Sequence, residues 1–253
     1  MIKISVCMAC YNERDQIVPT LENIVSNCCS FDYEIIIVDD RSSDGSLQLL
    51  ELYSEKNPRI KVFNNDINSG LAFCLNRAIL ACTSGYIFRV DFGDLSISSR
   101  FQDQVAFMEM NPSVDVYGGG IIINAVEETI FVPAPEVLSL DLKNPFRQLV
   151  MHHPTVLFRS SFFERFGLYD ISLRRAQDKE IWIRSLKKGA VIKNDGKALV
   201  EYSGGSGAKS FKNIAFGVMS IYRISMMHAL PFKYRNILIF LAKQLYLKVK
   251  VVI

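Results

Sequence analysis

The fold is decided by the stretch Glu34-Ile-Ile-Ile-Val-Asp39-Asp40-Arg-Ser-Ser-Asp44-Gly45, an apolar run that ends in clustered carboxylates. The pattern recurs about fifty residues later as Tyr86-Ile-Phe-Arg89-Val-Asp91-Phe-Gly93-Asp94. A buried strand with acidic groups at its carboxyl end marks the place where an open α/β sheet binds its ligand. We therefore expect both strands to end at one crevice, which is lined by Asp39, Asp40, Asp91 and Asp94.

Carboxylates at this place restrict the kind of ligand. They suit hydroxyl groups, base N–H groups and hard divalent cations. They repel bare phosphate, so a phosphate-containing ligand needs a metal ion between itself and the carboxylates. Asp39 and Asp40 are candidates for base and ribose contacts, and Asp91 and Asp94 are candidates for a ligand or metal contact. This is the chemistry of a nucleotide-sugar site.

Strands and helices alternate along the first 110 residues. The pattern predicts strands at Ile2–Met8, Tyr33–Val38, Ile60–Phe63 and Tyr86–Val90, and helices at Asp15–Cys28, Ser46–Lys56, Leu71–Cys82 and 97–110. This alternation indicates right-handed βαβ units and a mostly parallel sheet flanked by helices. After Asn111-Pro112 the alternation stops. Beyond it we expect strands at Val114–Asn124 and Thr129–Val132 around a bend at Gly118-Gly-Gly120, and helices at Phe162–Phe166 and Lys179–Lys187.

The composition fits one globular catalytic domain with an appendage. The chain has 253 residues, of which 49% are hydrophobic and 22% are charged, an ordinary globular balance. The formal net charge is +3, but no Asp or Glu follows Glu201. Eight basic residues after this point give the tail a charge of +8 and leave −5 for residues 1–201. Such asymmetry predicts an acidic partner for the tail.

The tail contains two apolar stretches, Ile214–Leu230 and Ile237–Ile253, which Pro231 separates. Each is near or below the ~20 apolar residues that a bilayer span needs. Basic residues beside Leu, Ile, Phe and Tyr, with no acid, are typical of helices that lie in a membrane interface. We therefore expect residues 208–253 to bind an anionic membrane surface, and we expect no nucleic acid partner. The alternative is a helical pair that packs on the domain or on a second subunit.

Short motifs near the crevice have both a structural and a functional interpretation. Tyr11 offers a flat face for a nucleobase, whereas Asn12 fits a turn that caps the next helix. Asn68-Ser69-Gly70 is either a ligand loop or a turn with an N-cap. His152-His153 lacks the spacing of zinc ligands and favours a loop that lines an acceptor cleft. Asp178 stands in a first helical turn, where an acid usually compensates the helix dipole.

Two other motifs favour structural roles, and a third has two interpretations. Cys7-x-x-Cys10 has redox or zinc spacing, but no second Cys/His pair follows, so we expect buried cysteines in a reducing compartment. Asp44 precedes Gly45 and a helix, which is typical of a turn or cap residue. Ser203-Gly-Gly-Ser-Gly207 lacks the Lys-Ser/Thr ending of a P-loop and is either a mobile lid or a linker.

Taken together, these segments resemble the glycosyltransferase family 2 pattern from about residue 2 to residue 207. Ile4-Ser-Val-Cys-Met-Ala-Cys-Tyr-Asn-Glu13 resembles the opening strand of that family, and Glu34–Gly45 resembles its Asp-Asp-x-Ser-x-Asp-Gly segment. Asn68-x-Gly70 and Arg89-x-Asp91-x-x-Asp94 resemble its next two blocks. The acceptor half is matched by His153-x-Thr155-x-x-Phe158-Arg159, by Gly167-x-Tyr169-Asp170, and by Gln177-Asp178 with Ile181-Trp182-x-Arg184.

The resemblance implies a GT-A (Rossmann-like) α/β fold and inverting transfer from a nucleotide-activated sugar, with a lean towards UDP. Residues 1–110 would form the nucleotide-sugar half and residues 111–207 the acceptor half of one domain, followed by the basic amphipathic helical tail 208–253. Asp178 matches the general base of the family, which overrides its local interpretation. The other implied roles are donor binding for Ala9, Tyr11, Asn12, Glu13, Asp39, Asp40, Asn68, Gly70, Arg89 and Asp91, acceptor binding for His153 and Trp182, and Mn²⁺ or Mg²⁺ binding for Asp91 and Asp94.

One departure from the family pattern concerns the metal. The family usually has Asp-x-Asp-Asp, and Gly93 stands at the third position. This change weakens ion binding, moves the ligand role to Asp94, or marks a catalytically degenerate nucleotide-binding or scaffold protein. A sugar-nucleotide pyrophosphorylase is a further alternative, but Cys10-Tyr-Asn-Glu-Arg14 lacks the glycine-rich loop that such an enzyme needs after its first strand.

The leading hypothesis is thus a glycosyltransferase that is peripheral on the cytoplasmic face of the cell membrane. Its expected acceptor is a polysaccharide or a lipid-linked glycan. Whether it forms a homo-oligomer is left open.

Overall fold

The computed structural model describes residues 1–124, 128–140, 151–203 and 211–229, with the backbone alone for 211–218. These residues form one mixed sheet flanked by helices, which confirms the expected α/β class. The strands are β1 (Lys3–Cys10), β2 (Asp32–Asp39), β3 (Ile60–Asn64), β4 (Tyr86–Arg89), β5 (Leu95–Ser96), β6 (Val116–Asn124), β7 (Thr129–Val132), β8 (Leu157–Arg159) and β9 (Ile192–Tyr202). The helices are α1 (Arg14–Cys28), α2 (Ser46–Lys56), α3 (Leu71–Ala81), α4 (Arg100–Met110), α5 (Ser161–Phe166), α6 (Gln177–Lys187) and α7 (Phe211–Met227), with a 3₁₀ turn at His153–Thr155.

The sheet joins both halves of the chain. Its order is β3-β2-β1-β4-β8-β6-β9-β5, and β7 pairs with β6. The strands β1 to β4 are parallel to one another, as the alternation predicts, whereas β8 lies antiparallel between β4 and β6. The register of β1 and β2 places Cys10 opposite Asp39. The loops that follow these two strands therefore leave the sheet side by side.

Apolar layers cover both faces of the sheet. In β1, Ile4, Val6 and Met8 pack with α1 and α4 on one face, and Cys7 packs with α3 and α6 on the other. Full burial of such apolar side chains contributes about 1.5–3 kcal/mol each. Burial on both faces explains why β1 and β2 are continuous apolar runs in the sequence and do not alternate.

Two buried side chains of α4 tie the halves of the chain together. Arg100 donates from Nη2 to the carbonyl of Pro154 at 2.8 Å. Gln104 donates from Nε2 to the carbonyls of Tyr117 and Thr155, both at 2.9 Å. Burial lowers the pKa of Arg100 to about 9, so the guanidinium stays charged at neutral pH. The first half of the chain thus supplies donors, and the second half supplies their backbone acceptors.

The chain beyond β4 departs from the sequence prediction. The strands β5, β8 and β9 are absent from that prediction. The expected bend at Gly118-Gly-Gly120 is wrong, because these glycines lie inside β6. They allow β9 to approach closely: a Cβ atom on Gly119 would stand 2.6 Å from Cδ1 of Leu199. The register between β6 and β9 shifts at the same place.

The first apolar stretch of the tail forms α7. Its side chains Ile221 and Ile224 are buried, and Ile224 belongs to the core layer of α3 and α6. This helix, which lies beyond the division predicted at residue 208, therefore packs on the domain, and the division itself stays a prediction. The second stretch, Ile237–Ile253, lies outside the described residues. Within the described part of the chain, no helix is both long and apolar enough to cross a membrane.

The cysteines largely follow the expectation of burial. Cys7, Cys10, Cys28 and Cys74 are buried and unpaired, whereas Cys29 is exposed. Burial raises the pKa of Cys7 and of Cys10 to about 12. Both thiols are therefore neutral at physiological pH, which does not favour a zinc or redox role, since both need the thiolate.

Candidate active site

A cavity of about 390 Å³ lies at the carboxyl ends of β1 and β4. The two acidic strand ends predict a crevice at this edge of the sheet. Asp94 lines the cavity, whereas Asn12 and Asp39 do not. The predicted donor-binding residues that line it are Ala9, Tyr11, Glu13, Asp40, Asn68, Gly70, Arg89 and Asp91. The sequence therefore locates the crevice correctly, and the role of each residue in it stays a prediction.

The loops after β1 and β2 are hydrogen-bonded to each other beside the cavity. The backbone N–H of Ser43 donates to Oδ1 of Asn12 at 2.8 Å, and Asn12 N–H donates to Ser42 at 2.9 Å. Asp44 accepts from the backbone of Arg14 at 3.1 Å and of Ser46 at 2.9 Å. Asp44 thus serves as the predicted turn and cap residue. These bonds hold the loop that presents Tyr11, whose side chain is 52% exposed.

Asp40 forms part of the cavity wall and holds the loop after β3. Its carboxylate accepts from the backbone N–H groups of Ser69 and Gly70, both at 2.8 Å. The amide of Asn65 donates to the same carboxylate at 2.9 Å. A carboxylate has about four acceptor sites, so these three bonds leave little capacity for a nucleobase. Asp40 therefore has a clear positioning role in this conformation.

Asp39 lies beneath the wall. It is fully buried, and its Oδ2 accepts from the backbone N–H of Ser42 at 2.8 Å. Its Oδ1 has no hydrogen-bond partner among the described residues. Asp39 does not line the cavity, and its predicted contact with the donor stays a prediction.

An ion pair between Arg89 and Asp91 lies in the cavity wall. Arg89 is buried and Asp91 is partly exposed. Burial lowers the pKa of the Arg89 guanidinium, but the charge of Asp91, together with smaller contributions from Tyr169, Asp94 and Cys7, outweighs burial and raises the pKa overall. The Nε atom of Arg89 has no hydrogen-bond partner among the described residues. A buried N–H group without an acceptor costs free energy unless a ligand supplies the acceptor.

Asp94 is held by Ser203, which lies 109 positions later in the chain. Its Oδ1 accepts from the backbone N–H of Ser203 at 3.0 Å and from the hydroxyl of Ser203 at 3.2 Å. Its Oδ2 is buried and has no hydrogen-bond partner among the described residues. Burial, and next the charge of Asp91, raise the pKa of Asp94 to about 6.

The backbone at Gly93 explains why no carboxylate stands there. Gly93 has a φ of +87°, which L-residues rarely adopt. A Cβ atom would lie 2.9 Å from the hydroxyl oxygen of Ser203. The backbone N–H of Gly93 donates to Oγ1 of Thr20 at 3.0 Å, which fixes the turn. Gly93 and Ser203 are therefore complementary in shape.

The residues present fit a divalent cation whose coordination is completed by a bound substrate. No group of three or more His, Cys, Asp or Glu side chains suited to a metal occurs in the described ranges. Mg²⁺, however, is usually bound by one or two carboxylates together with substrate phosphates. Asp91 and Asp94 supply two carboxylates on one cavity wall, and Oδ2 of Asp94 lacks a partner among the described residues.

Asp178 stands in the first turn of α6, directly after two residues that set its position. Ala176 has a φ of +60°, which is uncommon for a residue other than glycine. Asp178 itself is half-buried and does not line the cavity. Burial raises the pKa of Tyr169, and the charges of Asp178 and Asp91 raise it further. Asp178 is thus close enough to the Tyr169 hydroxyl to raise its pKa, as Asp91 is.

The two predicted acceptor-binding residues are buried. Trp182 is 1% exposed and packs against Phe158 at a centroid distance of 5.7 Å. His153 is hydrogen-bonded through Nε2 to the Tyr169 hydroxyl at 2.8 Å. Burial, and next the charge of Arg89, keep the pKa of His153 well below its ordinary value, so the ring is neutral. In this structure both residues belong to the core beneath the site, and their predicted acceptor contacts stay predictions.

Sequence reasoning missed several residues of the wall. Tyr202 belongs to the wall because β9, a strand absent from the prediction, ends there, and Ser203 lines the wall although the sequence indicates only a lid or a linker for it. Burial, and next the charges of Asp94 and Asp91, raise the pKa of Tyr202. The other missed residues are Cys10, Leu71, Cys74 and Phe92. An apolar side chain beside a motif carries no chemical signal of its own.

Comparison with known proteins identifies the family. The model of glycosyl transferase family 2 matches residues 5–166. A relative is TuaG of Bacillus subtilis, a glycosyltransferase assigned to teichuronic acid biosynthesis, which is 30% identical over 79% of this chain and 78% of its own. The S. aureus TarS 1-349 structure in complex with UDP is 22% identical and covers 96% of this chain and 71% of that chain, with a TM-score of 0.65. The mannosyltransferase PcManGT of Pyrobaculum calidifontis, in complex with GDP-Man and Mn²⁺, is 16% identical and covers 95% of this chain and 69% of that chain, with a TM-score of 0.66.

These two structures share the GT-A fold with the present chain. The family match covers more than half of the sequence and includes both acidic strand ends. The chain belongs to glycosyl transferase family 2 and is a glycosyltransferase.

Proposed function

We propose that the protein is an inverting glycosyltransferase that uses a nucleotide sugar, with a UDP-sugar as the favoured donor. Its acceptor is a polysaccharide or a lipid-linked glycan at the cytoplasmic face of the membrane. The observation that carries the proposal is the cavity of about 390 Å³, in which an exposed aromatic ring, a buried guanidinium and two carboxylates lie together. UDP in the TarS structure supports the donor, and the assignment of TuaG to teichuronic acid biosynthesis supports the acceptor class.

The donor is bound by three kinds of contact. The ring of Tyr11 is open on the cavity and stacks on the base. The loop of Asn68 and Gly70, which Asp40 holds, contacts the nucleoside. The unpartnered Nε of Arg89 donates to an oxygen of the donor, and this bond removes the cost of a buried donor without an acceptor.

Asp91 and Asp94 would hold Mn²⁺ or Mg²⁺ together with the diphosphate. When bound, the cation neutralises the charge of the departing nucleoside diphosphate. Ser203 keeps Asp94 in place through two hydrogen bonds to Oδ1, and Oδ2 keeps no hydrogen-bond partner among the described residues. The GDP-Man and Mn²⁺ in the PcManGT structure support a divalent ion.

Asp178 acts as the general base. It accepts the proton of the acceptor hydroxyl while that oxygen attacks C1 of the sugar from the face opposite the diphosphate, which inverts the anomeric centre. Its half-buried position in the first turn of α6 leaves the carboxylate accessible to an acceptor. Burial keeps the pKa of His153 well below and that of Tyr169 well above its ordinary value, so this neutral pair adds no competing proton donor of low pKa.

The test is a donor screen followed by a product analysis. Purified protein is mixed with Mn²⁺ and a panel of UDP-, GDP- and ADP-sugars, and thermal stability is measured. A donor at 100 times its Kd adds about 2.7 kcal/mol to the free energy of unfolding. We expect one UDP-sugar to stabilise the protein and to be hydrolysed to UDP. With an acceptor oligosaccharide, an α-linked donor should give a β-linked product by NMR.

Other outcomes identify the alternatives. Stabilisation without release of UDP over long incubation indicates a degenerate binding or scaffold protein. Release of pyrophosphate from UTP and a sugar 1-phosphate indicates a pyrophosphorylase. Stabilisation by no nucleotide sugar contradicts the proposal.

A further inference from the structure

A second exposed surface lies beside the donor cavity and has no place in the proposed chemistry. It is formed by the outward side of α7 and by the segment after α5. We call it the docking face and define it as Ile171, Arg174, Met219, Tyr222, Arg223 and Met226. A groove of about 550 Å³ runs along it, mostly with apolar walls.

The helix α7 is apolar on two opposite sides. Its inner side places Ile221 and Ile224 against the core. Its outer side exposes 65% of Met219, 50% of Tyr222 and 66% of Met226, which follow one another at helical spacing. Large exposed apolar patches mark a contact with a protein or a membrane.

The charges of the docking face are positive. Arg174 is exposed and forms no ion pair or hydrogen bond with the described residues. Arg223 donates to the carbonyl of Ser172 at 3.2 Å and has no carboxylate partner in the described ranges. Asp170 is the nearest acid along the segment, and its Oδ1 accepts from the backbone of Ser172 at 2.8 Å. The partner of this face is therefore both apolar and anionic.

Two rival occupants fit the charges poorly. In a symmetric dimer each residue near the axis faces its own copy, so Arg174 and Arg223 would oppose like charges. The chain beyond residue 229 carries Lys233, Arg235 and three more lysines but no Asp or Glu. Neither a second copy nor this segment supplies the anions that the face lacks.

We propose that the docking face binds the surface of an anionic phospholipid bilayer. Met219, Tyr222 and Met226 enter the boundary between headgroups and acyl chains, and the two arginines contact lipid phosphates. The inference deepens the proposed function, on whose membrane location it rests, by assigning the contact to α7 and to a segment outside the tail.

The docking face lies close to the donor cavity. Arg174 also lines an adjoining cavity of about 260 Å³. That cavity shares Asn68, Gly70 and Leu71 with the wall of the donor cavity. A bilayer on the docking face thus lies next to the donor site, where a lipid-linked acceptor would arrive with its hydrocarbon chain still in the membrane.

The test measures binding of the full chain to vesicles of phosphatidylcholine alone or with phosphatidylglycerol. We expect binding that needs phosphatidylglycerol and falls with salt. The double variant Met219→Asp with Met226→Asp should lower the partition coefficient at least about tenfold. Arg174→Glu should lower it about tenfold at low salt and less at high salt. Met110→Asp and Lys56→Glu are the matched controls, since both residues are exposed on other helices, and they should leave binding unchanged.

Unfolding temperatures and donor binding of every variant should match the wild type, because the substituted side chains are exposed and outside the donor cavity. Equal vesicle binding by wild type and the docking-face variants overturns the proposal, as does an equal loss in the controls. A dimer in light scattering that the same variants dissociate also overturns it in favour of a second copy. If nucleotide sugars are not bound while vesicle binding follows the expectation, the proposed function fails and the docking face stands.

Discussion

Asp178 is the residue on which the chemistry depends most directly. Asp178→Asn removes the proton acceptor but keeps the shape of the side chain. Turnover should fall by roughly 10²–10⁴, the usual contribution of a general base, while donor affinity stays the same. Release of the nucleoside diphosphate and donor binding by calorimetry measure the two effects separately. Asp15→Asn is the control, because Asp15 also lies in a first helical turn but is exposed. Near wild-type turnover of the Asp178 variant would rule out its role as the base.

Gly93 offers a second test at the scale of one residue. Gly93→Ala places a Cβ atom 2.9 Å from the Ser203 hydroxyl at a φ of +87°. Strain and contact together should lower the free energy of unfolding by about 1–3 kcal/mol. Gly189→Ala is the matched control, since its φ is +85° and no atom lies within 4 Å of the added Cβ. Urea titration of both variants isolates the contact, which Ser203→Gly should relieve in the Gly93 variant only. Equal losses of unfolding free energy in both glycine variants would mean that the Ser203 side chain moves aside without a measurable cost.

At the scale of the elements, Glu34 joins three parts of the sheet. It accepts from Ser5 of β1 at 2.7 Å, from Lys61 of β3 at 2.8 Å and from the backbone of Thr83 at 2.7 Å. Burial opposes the charge of Glu34, but these hydrogen bonds outweigh it and lower its pKa to about 2. In an unfolded chain the pKa of glutamate is about 4.3. The stabilisation is therefore complete above about pH 4.3 and is lost as the pH falls towards 2.

Glu34→Gln should lower the free energy of unfolding at pH 7 by on the order of 1–3 kcal/mol. The difference from wild type should shrink as the pH drops below about 4.3. Urea titrations at several pH values measure it. Glu51→Gln, at an exposed position of α2, should change little at any pH. A difference that stays constant down to pH 3 would show that shape, and not charge, is responsible.

The elements also show where sequence reasoning succeeds. β1 to β4 and their helices follow from apolar runs and from the turns between them, because β1, β2 and β4 are buried on both faces and only the edge strand β3 is partly exposed. α4 begins at Arg100 and not at residue 97, since Ser99 has a φ of +72° that ends the preceding turn. β9 is interrupted by polar Asn194-Asp195-Gly196, and β5 and β8 have only two and three residues. These strands form by pairing with residues that are distant in the sequence, and a local sequence pattern does not reveal such pairing.

The same limit applies to the candidate site. The acidic strand ends and the loops beside them follow from local motifs. The partnership of Ser203 with Asp94 spans 109 positions along the chain, and no periodicity reveals it. Trp182 matches a family motif, yet only packing shows that its ring is enclosed.

At the scale of the whole molecule, protein, cation and donor should bind as one unit. Because Asp91 and Asp94 supply only two carboxylates, we expect weak Mn²⁺ binding without donor and strong mutual enhancement with it. EDTA should abolish the thermal stabilisation by the nucleotide sugar, and Mn²⁺ should restore it.

Asp91→Ala should reproduce the effect of EDTA. Asp32→Ala, at the amino end of β2 and thus the opposite edge of the sheet, should leave the response to Mn²⁺ intact. Donor binding and turnover that ignore EDTA would point to a diphosphate held by Arg89 without a cation.

The buried donors of α4 have a consequence for how relatives of this protein can recombine. Arg100 and Gln104 meet the carbonyls of Tyr117, Pro154 and Thr155, so a chimera that joins residues 1–110 to a foreign second half inherits carbonyls at altered positions. Each orphaned donor would cost about 1–3 kcal/mol, and two or three of them consume much of the 5–15 kcal/mol that keeps a domain folded. New specificity is thus more accessible through single substitutions on the cavity wall than through exchange of halves, and shuffled libraries cut at residue 110 should be poor in folded members.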